Sequence, residues 1–264
     1  MKKESFRVKG IRVNSYYLPG TYQKRYRTIS RMVARDTITL LTEQIGALPY
    51  EQLDMAPCYF GFGFGGMEFP GLVMNNASAY YGKGTTSAQY DPVSLQEVVA
   101  HEVSHQWFYA AVGNDEYKEG WLDEGFTTYC EQVIYGASDT ESGRWVDEHS
   151  DPKGSLKARQ SYVRDNLKAA QENPEPLLVN VPVSAYSEED SYSEREYYGG
   201  CAFLQELRSV MGKKKFGRFL KAYYRVNCLK VSSTSQVLKA IREQDNGKAV
   251  NRIIKKYIST AYLR

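Results

Sequence analysis

The chain has 264 residues, 42% of them hydrophobic and 25% charged, with a formal net charge of +3. That length and apolar content support a sizeable core and exclude a disordered or repetitive chain, while the charge is too mild to argue for nucleic acid as a partner. No run reaches membrane-span length, and Met1-Lys2-Lys3-Glu4 leads into charged sequence, so a soluble, cytoplasmic location is expected if the chain is complete.

In chain order, apolar positions at Ile29, Met32, Val33, Ile38, Leu41 and Ile45 predict a helix from about Tyr22 to Gly46. Gln52 to Phe60 and Gly71 to Asn75 have strand composition, broken by Pro, Gly and Asn clusters as in a small sheet. Asp91-Pro92 offers a cap and a first-turn proline, and Ser94 with Glu97 reads as a capping box. The stripe Leu95, Val98, Val99, Val103 and Trp107 then predicts a helix running to a stop at Gly113. Gly113 to Gly120 is polar and turn-like, and Trp121 to Tyr129 begins a second helix that runs back beside the first. Further helices are expected at 155–171, 199–211, 214–226, 233–244 and 249–262. Between them, Pro174, Pro176 and Pro182 mark residues 173–192 as a long surface loop. Lys213-Lys214-Lys215 reads as a solvated helix start, and Cys58, Cys130, Cys201 and Cys228, with no C-x-x-C pair, as reduced thiols. The expectation is an α+β domain: a sheet-containing lobe over residues 1–91 and a helical lobe over 92–264.

His101-Glu102-Val103-Ser104-His105 carries the chemistry. Helical spacing sets residues i and i+4 on one face, so the two imidazoles can share an ion while Glu102, one residue on, can serve as a general base. With three histidines in the chain, chance gives such a match on the order of a few times in a thousand. A catalytic zinc needs a third protein ligand. Phe108 and Ala111 stand where the H-E-x-x-H-x-x-G-x-x-H arrangement needs Gly and His, so that site is excluded. Glu124 is the best candidate, with Asp123 its neighbour; a turn of about 100° per residue allows only one of them to face the metal.

The segment Gly61 to Pro70 is glycine-rich, with Gly61, Gly63, Gly65 and Gly66 permitting close approach of an extended peptide. It lacks the G-x-x-x-x-G-K-[ST] pattern of a phosphate loop. By itself, Glu68 in this loop reads as an exposed glutamate.

His101-Glu102-x-x-His105, eighteen residues and then Glu124 within Trp-Leu-Asp-Glu-Gly-Phe resembles the zinc signature of the gluzincin aminopeptidases, the aminopeptidase N family. Gly65-Gly66-Met67-Glu68-Phe69-Pro70 is similar to that family's G-x-M-E-N motif, with Phe69 in place of Asn. Tyr197-Tyr198-Gly199-Gly200 resembles its Y-E-K-G segment, departing at Tyr198 and Gly199. The resemblance implies a thermolysin-like bilobal domain with one Zn2+ in the cleft, held by His101, His105 and Glu124. It implies Glu102 as the base that activates a zinc-bound water and Tyr197 as oxyanion donor, with Tyr198 the competing tyrosine. Gly65, Gly66, Met67 and Glu68 would bind substrate, Glu68 receiving the α-ammonium group. The implied activity is removal of N-terminal residues from peptides with a free N-terminus; a metalloendopeptidase and a non-catalytic interaction domain are the alternatives. Family members carry flanking domains, so the chain is expected to be the catalytic domain of a larger protein, whose location could then be extracytoplasmic or membrane-anchored.

Overall fold

In the computed structural model, which describes residues 1–18, 23–60, 64–76, 92–149, 155–188 and 190–263, a two-residue turn at Lys9-Gly10 joins strands β1 (Lys2–Val8) and β2 (Ile11–Tyr17). Both turn residues have positive φ, 48° and 87°, the hand that matches strand twist in a tight hairpin. This hairpin is not foreseen from composition, because only one face of β1 is covered and its residues are mostly charged. Helix α1 (Gln23–Gln44) follows, then β3 (Gln52–Cys58), β4 (Gly66–Met67) and β5 (Leu72–Asn76). The sheet order is β1-β2-β3-β5-β4, with β2, β3 and β5 parallel and β1 and β4 antiparallel at the edges.

The chain divides into two units. The first comprises Met1–Glu43, Ala47–Gln106 and Cys130–Ser161. Its core joins Val13, Met55 and Val73 of the sheet to Ile29, Val33 and Ile38 of α1 and to Leu95, Val99 and Val103 of α2 (Pro92–Ser104), all nearly or fully buried. Helix α2 packs on β5, so the histidine-bearing helix belongs with the sheet.

The second unit comprises Gln44–Gly46, Trp107–Tyr129 and Tyr162–Arg264. It contains β6 (Val112–Gly113), the short α3 (Glu116–Glu119) and α4 (Glu124–Tyr129). Beyond α4, a widened π turn over Cys130–Gly136 and α5 (Glu141–His149) return the chain to the first unit, and α6 (Leu156–Glu172) follows. A second π turn (Ser193–Gly199) leads into α7 (Gly200–Met211), α8 (Lys213–Asn227), β7 (Lys230–Val231), α9 (Thr234–Gln244) and α10 (Lys248–Tyr257). Aromatic side chains fill this unit's core: Phe108 lies 4.6 Å from Phe126, and Trp121 5.5 Å from Phe203. The buried Trp121 indole N–H donates to Thr234 Oγ1 at 3.0 Å, which satisfies the polar edge of a ring otherwise in apolar contact.

Two expectations are corrected. The helix from Pro92 ends at Ser104, not at Gly113. Trp107, Phe108 and Ala111 continue the apolar stripe because they are buried in a tight turn, where Val112 N–H donates to the Trp107 carbonyl, Tyr109 N–H donates to Val112, and Tyr109 takes φ 119°. Residues 173–192 are also not wholly a surface loop: Val179 and Asn180 are fully buried, Val179 N–H donating to the Tyr257 carbonyl. Among the described residues none of the four cysteines is in a disulfide, and no helix is long and apolar enough to cross a membrane.

Candidate metal centre

In the first unit, His105 follows the last residue of α2 and keeps helical spacing, its N–H donating to the His101 carbonyl at 3.2 Å, so the two rings stack edge to face with centroids 4.7 Å apart. His101 Nδ1 lies 3.1 Å from Glu131 Oε2. With a proton on Nδ1 shared with that carboxylate, the lone pair falls on Nε2, the tautomer that a divalent metal takes. Glu131 stands seven residues beyond Glu124, and nothing in the motifs singles it out.

Glu68 is 9% exposed, which corrects its reading as an exposed loop residue. Glu68, Glu102 and His105 offer ligand-type atoms all within 4.8 Å of one another. Two ionised carboxylates this close repel, and a cation held among them and His105 would relieve that repulsion. Gly66 explains how Glu102 fits: a Cβ there would fall 2.4 Å from the Glu102 carboxyl carbon. Met67 on the edge strand β4 pairs with Met74 of β5, and Asn76 holds the preceding turn by donating from its side chain to the Phe64 carbonyl and from its backbone to the Gly65 carbonyl. Gln106, fully buried, pins the other side: its Oε1 accepts from Gly71 N–H at 2.9 Å and its Nε2 donates to the carbonyls of Glu68 and Phe69. Sequence reasoning missed Gln106, since a glutamine after the second histidine carries no motif. Gly61, Gly63 and Asp91 lie outside the described residues.

In the second unit, Glu124 opens α4 and accepts a hydrogen bond from the Tyr197 hydroxyl. The two are 73 residues apart, and their helices meet at glycines: a Cβ on Gly125 would sit 2.7 Å from the Gly200 Cα, and one on Gly200 2.6 Å from the Gly125 Cα. Only hydrogen at both positions permits that approach. Burial, then the Glu124 charge, pushes the Tyr197 phenol well above its usual range, so it stays protonated and able to donate. Tyr198 is 54% exposed. Asp123 and Glu124 are both buried, but the tie to Tyr197 belongs to Glu124.

Glu196, also missed, is 1% exposed and accepts from the Tyr186 hydroxyl. Burial pushes its carboxyl up to about 7, against the lowering effects of that hydrogen bond and of Arg195. Arg195 in turn pairs with Asp190 and lies 4.9 Å over the Tyr186 ring, so the turn carrying Tyr197 is held by a polar cluster.

The chain matches the Peptidase family M1 domain over residues 34–257. It belongs to peptidase family M1. Curated relatives in the family include aminopeptidase B of Rattus norvegicus, 32% identical over 184 residues, covering 66% of this chain and 24% of the relative. Leucine aminopeptidase 2 of Yarrowia lipolytica is 29% identical over 177 residues, covering 67% and 26%. The chain thus spans about a quarter of the length of these relatives. Among solved structures, an M1 zinc metallopeptidase from Deinococcus radiodurans shares the fold, with a TM-score of 0.65 and 20% identity over 98% of this chain and 51% of that one.

Proposed function

We propose that this chain is the catalytic domain of a longer zinc aminopeptidase, with His101, His105 and Glu124 holding one zinc ion and Glu102, Tyr197 and Glu68 acting on the peptide. The observation that carries the reading is the buried cluster of Glu68, Glu102 and His105, which joins a metal-ligand residue, a base and an ammonium-binding carboxylate within 4.8 Å. The donor set suits zinc: imidazole and carboxylate ligands are those of catalytic zinc, and the Glu131 carboxylate on His101 Nδ1 is the outer partner such a histidine takes.

Zinc bound there would polarise the scissile carbonyl and make water acidic enough to attack near neutral pH. Glu102 takes the proton of the attacking water and returns it to the departing amine. The Tyr197 hydroxyl, kept protonated, donates to the oxygen that becomes negative in the tetrahedral state. Glu68 attracts the α-ammonium group, and together with the edge strand at Gly66 and Met67 it sets how far the peptide enters. Gly65 and Gly66 leave room for the peptide backbone.

The test is zinc content together with hydrolysis of two peptides, one with a free N-terminus and one acetylated, by the wild type, Glu102→Ala and Glu68→Ala. Cleavage of the free peptide alone, lost in Glu102→Ala with zinc retained and reduced in Glu68→Ala, is the expected result. Equal cleavage of both peptides would instead show an endopeptidase, and stoichiometric zinc without cleavage a non-catalytic domain.

A further inference from the structure

Helix α8 has six cations and no anion: Lys213, Lys214, Lys215, Arg218, Lys221 and Arg225. Its buried seam, which includes Phe216, Phe219 and Tyr223, faces the unit's core. Lys214, Arg218, Lys221 and Arg225 are exposed, and their spacing of four, three and four residues puts them within an arc of about 60° opposite that seam. Among the described residues, Lys214, Lys221 and Arg225 have no carboxylate partner, whereas Lys215 pairs with Asp245 at 2.6 Å. A solvated helix face ordinarily mixes signs. This one sets like charges at i, i+4 and places three lysines at the N-terminus, where the helix dipole disfavours them.

The helix that carries the stripe is followed along the chain by an aliphatic tip. Val226, Leu229 and Val231 are 57%, 67% and 72% exposed. The turn that presents them is fixed at both ends, Leu229 N–H donating to the Ala111 carbonyl at 2.6 Å and Ser232 N–H to the Gly113 carbonyl at 2.7 Å. Leu229 is held in the left-handed region, φ 62°, at a solvent-facing position where glycine or asparagine would be relaxed. Adverse charge spacing, exposed aliphatics and a strained leucine in one continuous stretch violate local rules in the way that binding surfaces do.

We propose that the cationic face of α8 and the Val226, Leu229 and Val231 tip form a docking surface for an anionic lipid bilayer. The cations would meet acidic headgroups while the tip enters the acyl boundary. The side chains choose this occupant: single-stranded nucleic acid is gripped by aromatic faces, and protein hot spots favour Trp, Tyr and Arg while leucine and valine are under-represented. Residues 208–264 hold 15 Lys and Arg against 2 Asp and Glu, so positive charge concentrates in the part of the chain that carries this surface.

Co-sedimentation of the 264-residue protein with phosphatidylcholine vesicles, with and without phosphatidylserine, tests this. Binding is expected only with phosphatidylserine and should weaken as salt rises. Each cation removed should cost about fivefold in partitioning, so Lys221→Gln/Arg225→Gln loses about 25-fold. Val226→Ser/Val231→Ser, which keeps the charge, should lose binding severalfold. Leu229→Gly should do the same while relieving the backbone, so its melting temperature does not fall and misfolding is not the cause. Failure to bind phosphatidylserine vesicles, equal binding to neutral vesicles, or binding that duplex DNA competes away and that ignores the aliphatic variants would each overturn the proposal; the last would leave only a general polyanion patch.

Discussion

The two units build their parts of the proposed site by opposite means. On α2 and the residue that follows it, His101, Glu102 and His105 are placed by helical geometry within five residues, and folding one helix sets their order. In the second unit, Glu124 and Tyr197 meet across 73 residues of chain, and their hydrogen bond depends on two helices approaching as closely as Gly125 and Gly200 allow. Local placement tolerates changes elsewhere in the fold. The long-range pair depends on packing, and its geometry should be the first to degrade.

Four predictions test that contrast, from the largest expected effect to the smallest. Tyr197→Phe removes the hydroxyl without disturbing the histidines, so kcat should fall about 100- to 1,000-fold with KM little changed; steady-state kinetics with zinc content checked would show it, and a fall in KM-limited binding alone would take Tyr197 out of the oxyanion role. Glu131→Ala should weaken zinc affinity about 10- to 100-fold through loss of the His101 Nδ1 partner, read by chelator competition without any substrate. Glu131→Gln should recover part of that loss, because an amide oxygen still accepts from Nδ1.

Gly200→Ala forces a methyl to 2.6 Å from the Gly125 Cα and should destabilise the domain by about 1–3 kcal/mol. Thermal melting measures the cost, and the contrast predicts that zinc affinity of the histidine pair changes less than kcat. The smallest effect concerns Glu196. Its folded carboxyl is raised from 4.5 to about 7, so between those values the folded state binds more protons than the unfolded state and stability declines as pH rises. Glu196→Gln should flatten that decline, by at most about 1.4 kcal/mol per pH unit, in denaturant titrations from acid to neutral pH. A steeper decline in the variant would mean that another group carries the linkage.

Legibility in the sequence divides along the same line. The histidine pair, the glutamate between them and the amphipathic helices from residue 155 onward can be read because their periodicity is local. The end of α2 cannot, since Trp107, Phe108 and Ala111 are as apolar in a buried turn as they would be in a helix. The β1–β2 hairpin escapes notice because an edge strand with one covered face has few apolar residues to show. Gln106, Glu131 and Glu196 are invisible for a different reason: each works through a partner distant in the chain, Gln106 through Gly71, Glu131 through His101 and Glu196 through Tyr186. No spacing announces such a residue.

Among the described residues, both stretches where the helix widens, Cys130–Gly136 and Ser193–Gly199, carry a residue of the proposed site, Glu131 in one and Tyr197 in the other. A helix with an ordinary repeat would index these side chains differently against the next element of the chain. Only Tyr198 and Gly199 separate Tyr197 from α7, so losing one of them would swing the phenol by about 100° relative to Gly200 while changing no functional residue. In the proposed site chain length here matters as much as residue identity, and a one-residue insertion or deletion should do more harm than most substitutions.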